Sequence, residues 1–384
     1  MEHDPLPTEE LAGRRERLSA RMEEAGLDAV FLSPSADLEY LTGVERDVPS
    51  FGQIAYAHGW VTGAFFALAA EPRFVLPRMF VAFHLADREP GETVVVAEDD
   101  DGEALFSAAA RGLGPVRRVG IGARTPGETV LGLQRALPGV ELVDATPLVN
   151  GLRRVKSPLE LELMAEACRI AEDAMAATSP RVRPGVTTVD LAEEVEHQLR
   201  LRGSRTPSFA THIFTFGHDD SRDSQLPSGL EPVREGEPVL FDFGGVWRGY
   251  CSDFGRTVVA GEPPAGYHGA YETMLAAQEA GRLAAVPGAR ACDVNAACRG
   301  PIEDAGLGEH FRHRMGHSIG LDVHERPFLS VEDETPLEPG MTFTDEPSLV
   351  LPGRFGVRIE DVIAVAGPDG AQLLTTLSSA AVVN

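Results

Sequence analysis

Four carboxylates and one histidine in the C-terminal part of the chain have the residue types and spacing of a metal centre. Asp242 and Asp253 are eleven residues apart, His317 follows, and Glu346 and Glu360 are fourteen apart. Each lies in an apolar or glycine-rich segment, where an unpaired charge is costly and its pKa shifts. Such ligands suit two divalent cations, about 3.5–4 Å apart, with a bridging hydroxide as nucleophile. The pattern therefore predicts a dinuclear metal hydrolase, with manganese as the first candidate metal and cobalt, zinc or iron as alternatives.

Two predicted β-hairpins must position these carboxylates. The segment PVLFDFGGVWRGYCSDFGRTVV is typical of an apolar strand, a glycine-rich connection and a returning strand. Strand alternation places Asp242 on the face opposite Phe241 and Phe243, and strand pairing would bring Asp253 close to it. The segments MTFTDEP and GVRIEDVI, which carry the two glutamates, repeat this arrangement. We therefore expect all four carboxylates on hairpin strands.

The C-terminal part also contains an internal repeat. The motif PG-x4-D occurs at 184–190 and again at 287–293, an offset of 103 residues. Asp242 and Glu346 are separated by nearly the same distance, 104 residues. A long predicted helix precedes each copy of the motif, and a pair of ligand-bearing strands follows it. This agreement predicts a duplicated half-unit, with two ligand hairpins meeting at one site across a pseudo-two-fold axis.

The N-terminal part has the alternating pattern of an α/β domain. A polar helix from about Glu9 to Gly26 precedes a series of short apolar runs separated by helical or Gly/Pro-rich stretches. The predicted strands are 28–32, 73–77, 93–97, 118–122 and 141–143. Residues 148–156 are predicted to connect the two parts. We therefore divide the chain into an N-terminal domain, 1–150, and a catalytic domain, 151–384.

Composition limits the partners and the compartment. The chain has 384 residues and a net charge of −25, which argues against nucleic acid or an anionic membrane as a partner. No apolar run approaches the roughly 20 residues that span a bilayer, and the first residues lack a secretory signal pattern. The four cysteines form no CxxC pair and are typical of free thiols in a reducing compartment. We therefore expect a cytoplasmic protein.

The ligand residues and three further motifs resemble those of the pita-bread metallopeptidases, which include methionine aminopeptidase, aminopeptidase P and prolidase, with creatinase as a metal-free relative. The order Asp, Asp, His, Glu, Glu matches the family's ligand order, and HRMGHSIGLDVHERP matches its histidine-rich signature. YLTG at 40–43 and RRVKSP at 153–158 resemble the creatinase-type N-terminal domain and its connector. Methionine aminopeptidases lack that domain, so the resemblance favours the Xaa-Pro branch.

The resemblance implies a fold and a ligand set. The fold would be an α/β N-terminal domain followed by an α+β pita-bread C-terminal domain with an internal pseudo-two-fold duplication. Asp253 and Glu360 would be bridging ligands, and Glu346 would also accept a proton from the nucleophilic water. The implied metal ligands are Asp242, Asp253, His317, Glu346 and Glu360.

Three other residues match functional positions of the family. His313 and His324 match histidines that contact the substrate or stabilise the tetrahedral intermediate. Arg358, two residues before Glu360, matches an arginine that supports the site in the Xaa-Pro branch. Members with this N-terminal domain are usually dimers, so the resemblance implies a homodimer.

One position departs from the family pattern. The family places another histidine 17 residues before the first aspartate, where this chain has Gln225. Glutamine can donate a hydrogen bond but cannot take up a proton. His218 is a candidate substitute if its loop folds back, and Ser221, Arg222 and Asp223 are candidates for reshaping the pocket.

Three functions fit these observations. The first is metal-dependent hydrolysis of Xaa-Pro bonds in short proline-containing peptides, by a dipeptidase or an aminopeptidase. The second is a metal-dependent amidohydrolase of the same fold that acts on a small non-peptide or cyclic amide, an alternative favoured by the altered 218–228 loop. The third is a non-catalytic binding protein, which the intact ligand set argues against.

Overall fold

The computed structural model describes residues 6–46, 57–68, 70–85, 91–216, 229–230, 232–379 and 382–383, the last two in backbone only. The chain forms two compact units, one of residues Glu2–Arg153 and one that begins at Arg154. The boundary predicted after residue 150 lies inside the helix Thr146–Arg153. None of the helices in this described part combines the length and the apolar character needed to cross a bilayer.

The N-terminal unit contains a six-stranded mixed sheet with the strand order β4-β3-β2-β1-β5-β6. Its strands are β1 (Ala29–Leu32), β2 (Gly63–Ala67), β3 (Arg73–Pro77), β4 (Glu92–Val96), β5 (Arg118–Ile121) and β6 (Glu141–Asp144). Its helices are α1 (Thr8–Ala25), α2 (Ala36–Thr42), α3 (Arg78–Phe80), α4 (Gly102–Arg111), α5 (Gly127–Ala136) and α6 (Thr146–Arg153). Strand β2 runs antiparallel to β1 and β3, whereas the remaining pairs are parallel.

Two elements of this unit differ from the sequence prediction. Strand β2 was not predicted, because its residues are almost all buried and show no alternation of polar and apolar side chains. The predicted connector is helical as far as Arg153, since Val149 and Leu152 form a buried stripe on α6.

The C-terminal unit contains two larger sheets, a four-stranded one with the order β19-β11-β8-β7 and a five-stranded one with the order β13-β12-β14-β17-β18. Two further strand pairs, β9-β10 and β15-β16, are short hairpins. The strands are β7 (His212–Phe214), β8 (Glu237–Phe243), β9 (Val246–Trp247), β10 (Tyr250–Cys251), β11 (Phe254–Ala260), β12 (Gly316–Ser318), β13 (Glu325–Leu329), β14 (Thr342–Asp345), β15 (Ser348–Leu351), β16 (Phe355–Arg358), β17 (Asp361–Gly367), β18 (Gly370–Leu373) and β19 (Val382–Val383). The helices are α7 (Pro158–Thr178), α8 (Thr188–Leu201), α9 (Tyr267–Ala284) and α10 (Ala291–Asp304).

The two halves of this unit repeat one another. The series α7-α8-β7-β8-β11 is followed by the equivalent series α9-α10-β12-β14-β17, as the repeat predicts. In each half the sheet buries one face against its helix pair. Phe241 and Phe243 lie in the core with the first pair, and Phe343 and Ile363 lie in the core with the second. The alternate residues of the same strands therefore face away from the helices, where the predicted ligands lie.

Strand β11 joins the two halves. Gly255 is registered opposite Asp242 of β8, and on its other side it forms a β-bridge with Glu360. In this bridge Gly255 N donates to Glu360 O at 3.2 Å, and Glu360 N donates to Gly255 O at 2.9 Å. Two predicted ligands from different halves are thus held on either side of one glycine.

Candidate metal centre

Three of the predicted ligands form one group. Asp242, Asp253 and Glu360 each offer an oxygen atom, and these atoms lie within 4.8 Å of one another. Asp242 lies on β8, as predicted, whereas Asp253 and Glu360 immediately precede β11 and β17 instead of lying on the strands. Asp253 lies outside the strand because the small hairpin β9-β10 interrupts the returning segment.

The other two predicted ligands approach the same group through Asp253. His317 Nε2 lies 3.5 Å from Asp253 Oδ2 and 3.4 Å from Glu346 Oε1. His317 lies on β12, and Glu346 follows β14 directly. The structure therefore brings all five predicted side chains together as two overlapping groups that share Asp253.

The hydrogen bond of the second ring nitrogen fixes the orientation of the His317 imidazole. Nδ1 lies 3.2 Å from the carbonyl oxygen of Ser318, which can only accept, so Nδ1 carries the proton. In the neutral ring Nε2 is then the nitrogen with the free lone pair, and it faces the carboxylates of Asp253 and Glu346, which raise the pKa of the ring. This is the arrangement in which a histidine binds a metal ion through Nε2.

Thr344 connects His317 with Glu346 and was not identified from the sequence. Its buried Oγ1 accepts a hydrogen bond from His317 N at 3.0 Å and donates one to Glu346 Oε1 at 3.1 Å. The available signal was its position, two residues before Glu346 and so on the same face of the strand. Thr344 therefore connects the backbone of His317 to the side chain of Glu346.

The group carries more negative than positive charge, which favours the binding of cations. Asp253 Oδ1 and Glu360 Oε2 are buried and accept no hydrogen bond from any residue that the structure describes. Burial raises the pKa of Glu360 well above its usual range, and the neighbouring carboxylate of Asp253 adds to the rise. Buried carboxylate oxygens without donors are the ligands that divalent cations accept. The residues present therefore fit a metal centre.

Arg358 supplies one positive charge to this group. Its buried guanidinium donates from Nη1 to Asp242 Oδ2, and the same nitrogen lies 3.8 Å from Glu360 Oε2. The structure therefore places Arg358 beside the predicted ligands, and its supporting role stays a prediction. A single guanidinium cannot balance four carboxylates, so the group still favours added cations.

We expect metal binding to stabilise the protein more at neutral than at acid pH. Burial raises the pKa of Asp242 from 3.8 to about 6, although Arg358 opposes the rise. Without metal, protonation of Asp242 stabilises the folded state. This contribution to the free energy of unfolding is fully present below pH 3.8 and is lost as the pH rises through about 6. Metal ions and protons compete for the carboxylate of Asp242. The increase in Tm on adding Mn²⁺, measured by calorimetry, should be larger at about pH 7.5 than at about pH 5. An increase that is equal at both pH values would contradict this.

The two other predicted histidines lie beside the group. The His313 Nε2 contacts Ser348 Oγ, and burial lowers the pKa of its ring. The His324 ring centroid lies 4.1 Å from that of His317. Both histidines are therefore positioned to contact a molecule bound near the carboxylates.

A buried ion pair holds the segment that carries His324. Lys156 Nζ lies 3.0 Å from Glu325 Oε2, and the two side chains are only 1% and 8% exposed. The second oxygen, Glu325 Oε1, accepts a hydrogen bond from Asp322 N at 3.1 Å. The charge of Lys156 therefore anchors the residue that follows His324.

Replacing Gly255 by alanine should weaken metal binding. A Cβ atom at this position would lie 2.8 Å from Glu360 Oε2 and 2.9 Å from Arg358 Cδ. Displacement of the carboxylate by such a contact should reduce metal affinity by about 10- to 100-fold, measured by titrating Mn²⁺ into the metal-free protein. Gly269→Ala is the matched control, because no described atom lies within 4 Å of a Cβ there. Equal affinity for both variants would rule out the proposed close fit.

The loop that departs from the family pattern lies outside the described residues. This applies to His218, Ser221, Arg222, Asp223 and Gln225. Their predicted roles stay predictions.

Comparisons with known proteins cover both units. Residues 162–366 match the family described as metallopeptidase family M24, and residues 14–155 match the creatinase/prolidase N-terminal domain. The Xaa-Pro dipeptidase of Pyrococcus horikoshii is 29% identical over 358 residues, which cover 92% of this chain and 94% of that protein. The Xaa-Pro dipeptidase of Pyrococcus furiosus is 36% identical over 231 residues, 59% of this chain and 65% of that protein. A solved Xaa-Pro dipeptidase from Bacillus anthracis has a TM-score of 0.84 and 26% identity and covers 97% of this chain and 100% of its own. These matches confirm the resemblance and the fold class predicted from the sequence.

Proposed function

The chain belongs to metallopeptidase family M24, and from this we propose that it hydrolyses the bond between an amino-terminal residue and proline in short peptides. The observation that carries the proposal is the convergence of Asp242, Asp253, His317, Glu346 and Glu360 at one buried site. Relatives that share both domains and are named Xaa-Pro dipeptidases support proline as the second residue.

The two overlapping ligand groups support two divalent ions. Asp242, Asp253 and Glu360 would hold one ion, and Asp253, His317 and Glu346 the other; the bridging role that the resemblance implies for Glu360 stays a prediction. Bound ions would polarise the scissile carbonyl and lower the pKa of the attacking water. Oxygen atoms dominate both groups, which favours manganese.

The protein's own side chains then move the protons. The Glu346 carboxylate accepts a proton from the attacking water, and Thr344 holds its Oε1 in position for this. The same proton is then delivered to the proline nitrogen, because an imide nitrogen has no proton of its own and leaves poorly as an anion. His324 would donate a hydrogen bond to the substrate or to the developing oxyanion. Both ring nitrogens of His313 already contact protein oxygens, Arg314 O and Ser348 Oγ, so His313 would line the site and hold Ser348 in place.

Substrate profiling tests the proposal. Protein loaded with Mn²⁺ should cleave Ala-Pro, Gly-Pro and tripeptides of the form Xaa-Pro-Xaa, and should cleave Ala-Ala more slowly. Chelation should abolish cleavage, and added Mn²⁺ should restore it. Loaded protein that cleaves none of these peptides would contradict the proposal and favour the small non-peptide amide.

Metal stoichiometry tests the dinuclear site separately. Elemental analysis of protein equilibrated with Mn²⁺ and then desalted should find about two ions per chain. An Asp242→Asn variant should lose one ion preferentially, because Asp242 belongs to only one of the two groups. A wild-type protein that holds a single ion at saturation would exclude the two-ion arrangement.

A further inference from the structure

His212 faces the same side of the sheet as the candidate metal centre. It lies on β7, the edge strand next to β8, and is registered directly opposite Asp242. Residues directly opposite one another on neighbouring antiparallel strands point to the same face. Ile213, the next residue, points to the other face and is buried in the core with Phe241. The His212 imidazole therefore lies beside Asp242, one strand further from Asp253.

The internal duplication gives His212 a counterpart. Strand β12, which lies next to β14 in the second half, is the equivalent of β7 and carries His317. His212 and His317 are 105 residues apart, against 104 for Asp242 and Glu346. Each half therefore places a histidine on the strand that neighbours its first ligand strand. The two histidines differ in their distance from the carboxylates, because only His317 contacts Asp253 and Glu346.

Aromatic rings flank His212 on its own strand, and the charged groups near it are Asp242, which is registered opposite, and Arg358 and Asp253. Its ring centroid lies 5.6 Å from that of Phe214 and 6.2 Å from that of Phe209. Phe214 continues into a cluster with Phe216, Leu240 and Val350. The imidazole is half-buried and forms no hydrogen bond or ion pair with any residue in the described part of the chain. A polar group in such a setting is available to a ligand.

The position of His212 suits a substrate group other than the scissile carbonyl. Neighbouring strands are about 4.8 Å apart, so His212 lies about one strand spacing from Asp242. One residue of extended peptide spans about 3.3–3.6 Å, and a hydrogen bond of about 2.8 Å completes the reach. A carbonyl held among the carboxylates therefore places the next polar group of a dipeptide, its terminal carboxylate, within reach of His212.

We propose that His212 donates a hydrogen bond to the terminal carboxylate of a dipeptide substrate. This inference rests on the proposed peptidase function and names the substrate class of the same site. The protein would then prefer dipeptides to longer peptides, because only a dipeptide places its carboxylate one residue beyond the scissile bond.

A comparison of each dipeptide with its C-terminal amide tests the role of His212. Steady-state kinetics are measured for the best dipeptide found by profiling and for its amide, with wild-type, His212→Gln and His212→Phe. We expect His212→Phe to lose about 10- to 100-fold in kcat/KM on the dipeptide, mainly through KM, and His212→Gln, whose side-chain amide can still donate a hydrogen bond, to lose less. Their kcat/KM on the amide should stay within about threefold of wild-type. His268→Gln, an exposed histidine on α9, is the control and should behave as wild-type on both substrates.

Other outcomes would overturn the inference. Equal losses on the dipeptide and the amide would place His212 at the scissile carbonyl or in a structural role. Reduced Mn²⁺ content in His212→Gln would make it a metal ligand. His212→Phe preserves the aromatic packing, so it gives the answer if His212→Gln folds poorly. The comparison can use any dipeptide that the protein cleaves. If proline peptides are not cleaved, the proposed function is wrong, and the role of His212 is still tested by the ratio of kcat/KM on the cleaved dipeptide to kcat/KM on its amide.

Discussion

Replacing Glu346 by glutamine should lower kcat by about 10²- to 10⁴-fold. The amide keeps an oxygen for a cation and for the hydrogen bond from Thr344 Oγ1, but it cannot accept the proton of the attacking water. The loss should therefore appear in kcat at every pH, whereas KM should change little. Stopped-time assays on the best dipeptide would measure both parameters, and elemental analysis would show how much Mn²⁺ the variant retains.

The control for this variant is Glu332→Gln, which makes the same chemical change at an exposed glutamate that is not among the predicted ligands. It should keep full activity. A Glu346→Gln protein that held its metal and kept wild-type kcat would exclude Glu346 as the base. A variant that lost its metal as well as its activity would show that glutamine at this position cannot replace the ligand, and the metal content would then account for the loss.

Replacing Lys156 by methionine should destabilise the C-terminal unit by about 3–5 kcal/mol. Removal of the ammonium leaves the Glu325 carboxylate buried, 8% exposed, without the cation that lies 3.0 Å from it. The free energy of unfolding, from urea denaturation followed by circular dichroism, should fall by that amount. Activity should fall as well, because Glu325 is the residue next to His324 and loses the ion pair with Lys156 that holds it in place.

The double variant Lys156→Met/Glu325→Gln separates the charge from the packing. Glutamine removes the buried charge, and its side-chain oxygen can still accept the hydrogen bond from Asp322 N. We expect the double variant to recover most of the stability that the single variant loses, so the interaction energy in the mutant cycle should be at least as large as the stability recovered. Additive losses would show that the two side chains act independently and that the ion pair is not what holds the segment.

Local features of the chain were sufficient to predict much of this structure. The hairpin of Asp242 was predictable because alternating apolar residues with one carboxylate leave only one face for that carboxylate. The repeat was predictable because the offsets of 103 and 104 residues agree at separate motifs. The capping box at Ser157 and Glu160, which begins α7, is also a local pattern of residue types.

Other features could not be read from local patterns. Strand β2 has no polar–apolar alternation, because it is buried on both faces. Asp253, Glu346 and Glu360 were predicted on strands and lie just outside them. Their positions depend on where strand pairing ends, which is set by turns and bulges that periodicity does not show. The loop with Gln225 departs from the family pattern, and its predicted effect on substrate choice stays a prediction.

The chain's residue order was therefore enough to name the five side chains of the candidate metal centre, because ligand chemistry and strand alternation are properties of neighbouring residues. How those side chains meet is a property of the folded protein. Asp253 is shared by two ligand groups and Gly255 fits against Glu360 because β11 pairs with segments of both halves. His212 faces Asp242 because β7 lies at the edge next to β8. Strand order and register between distant segments arise from packing of the whole unit, and no local pattern carries that information.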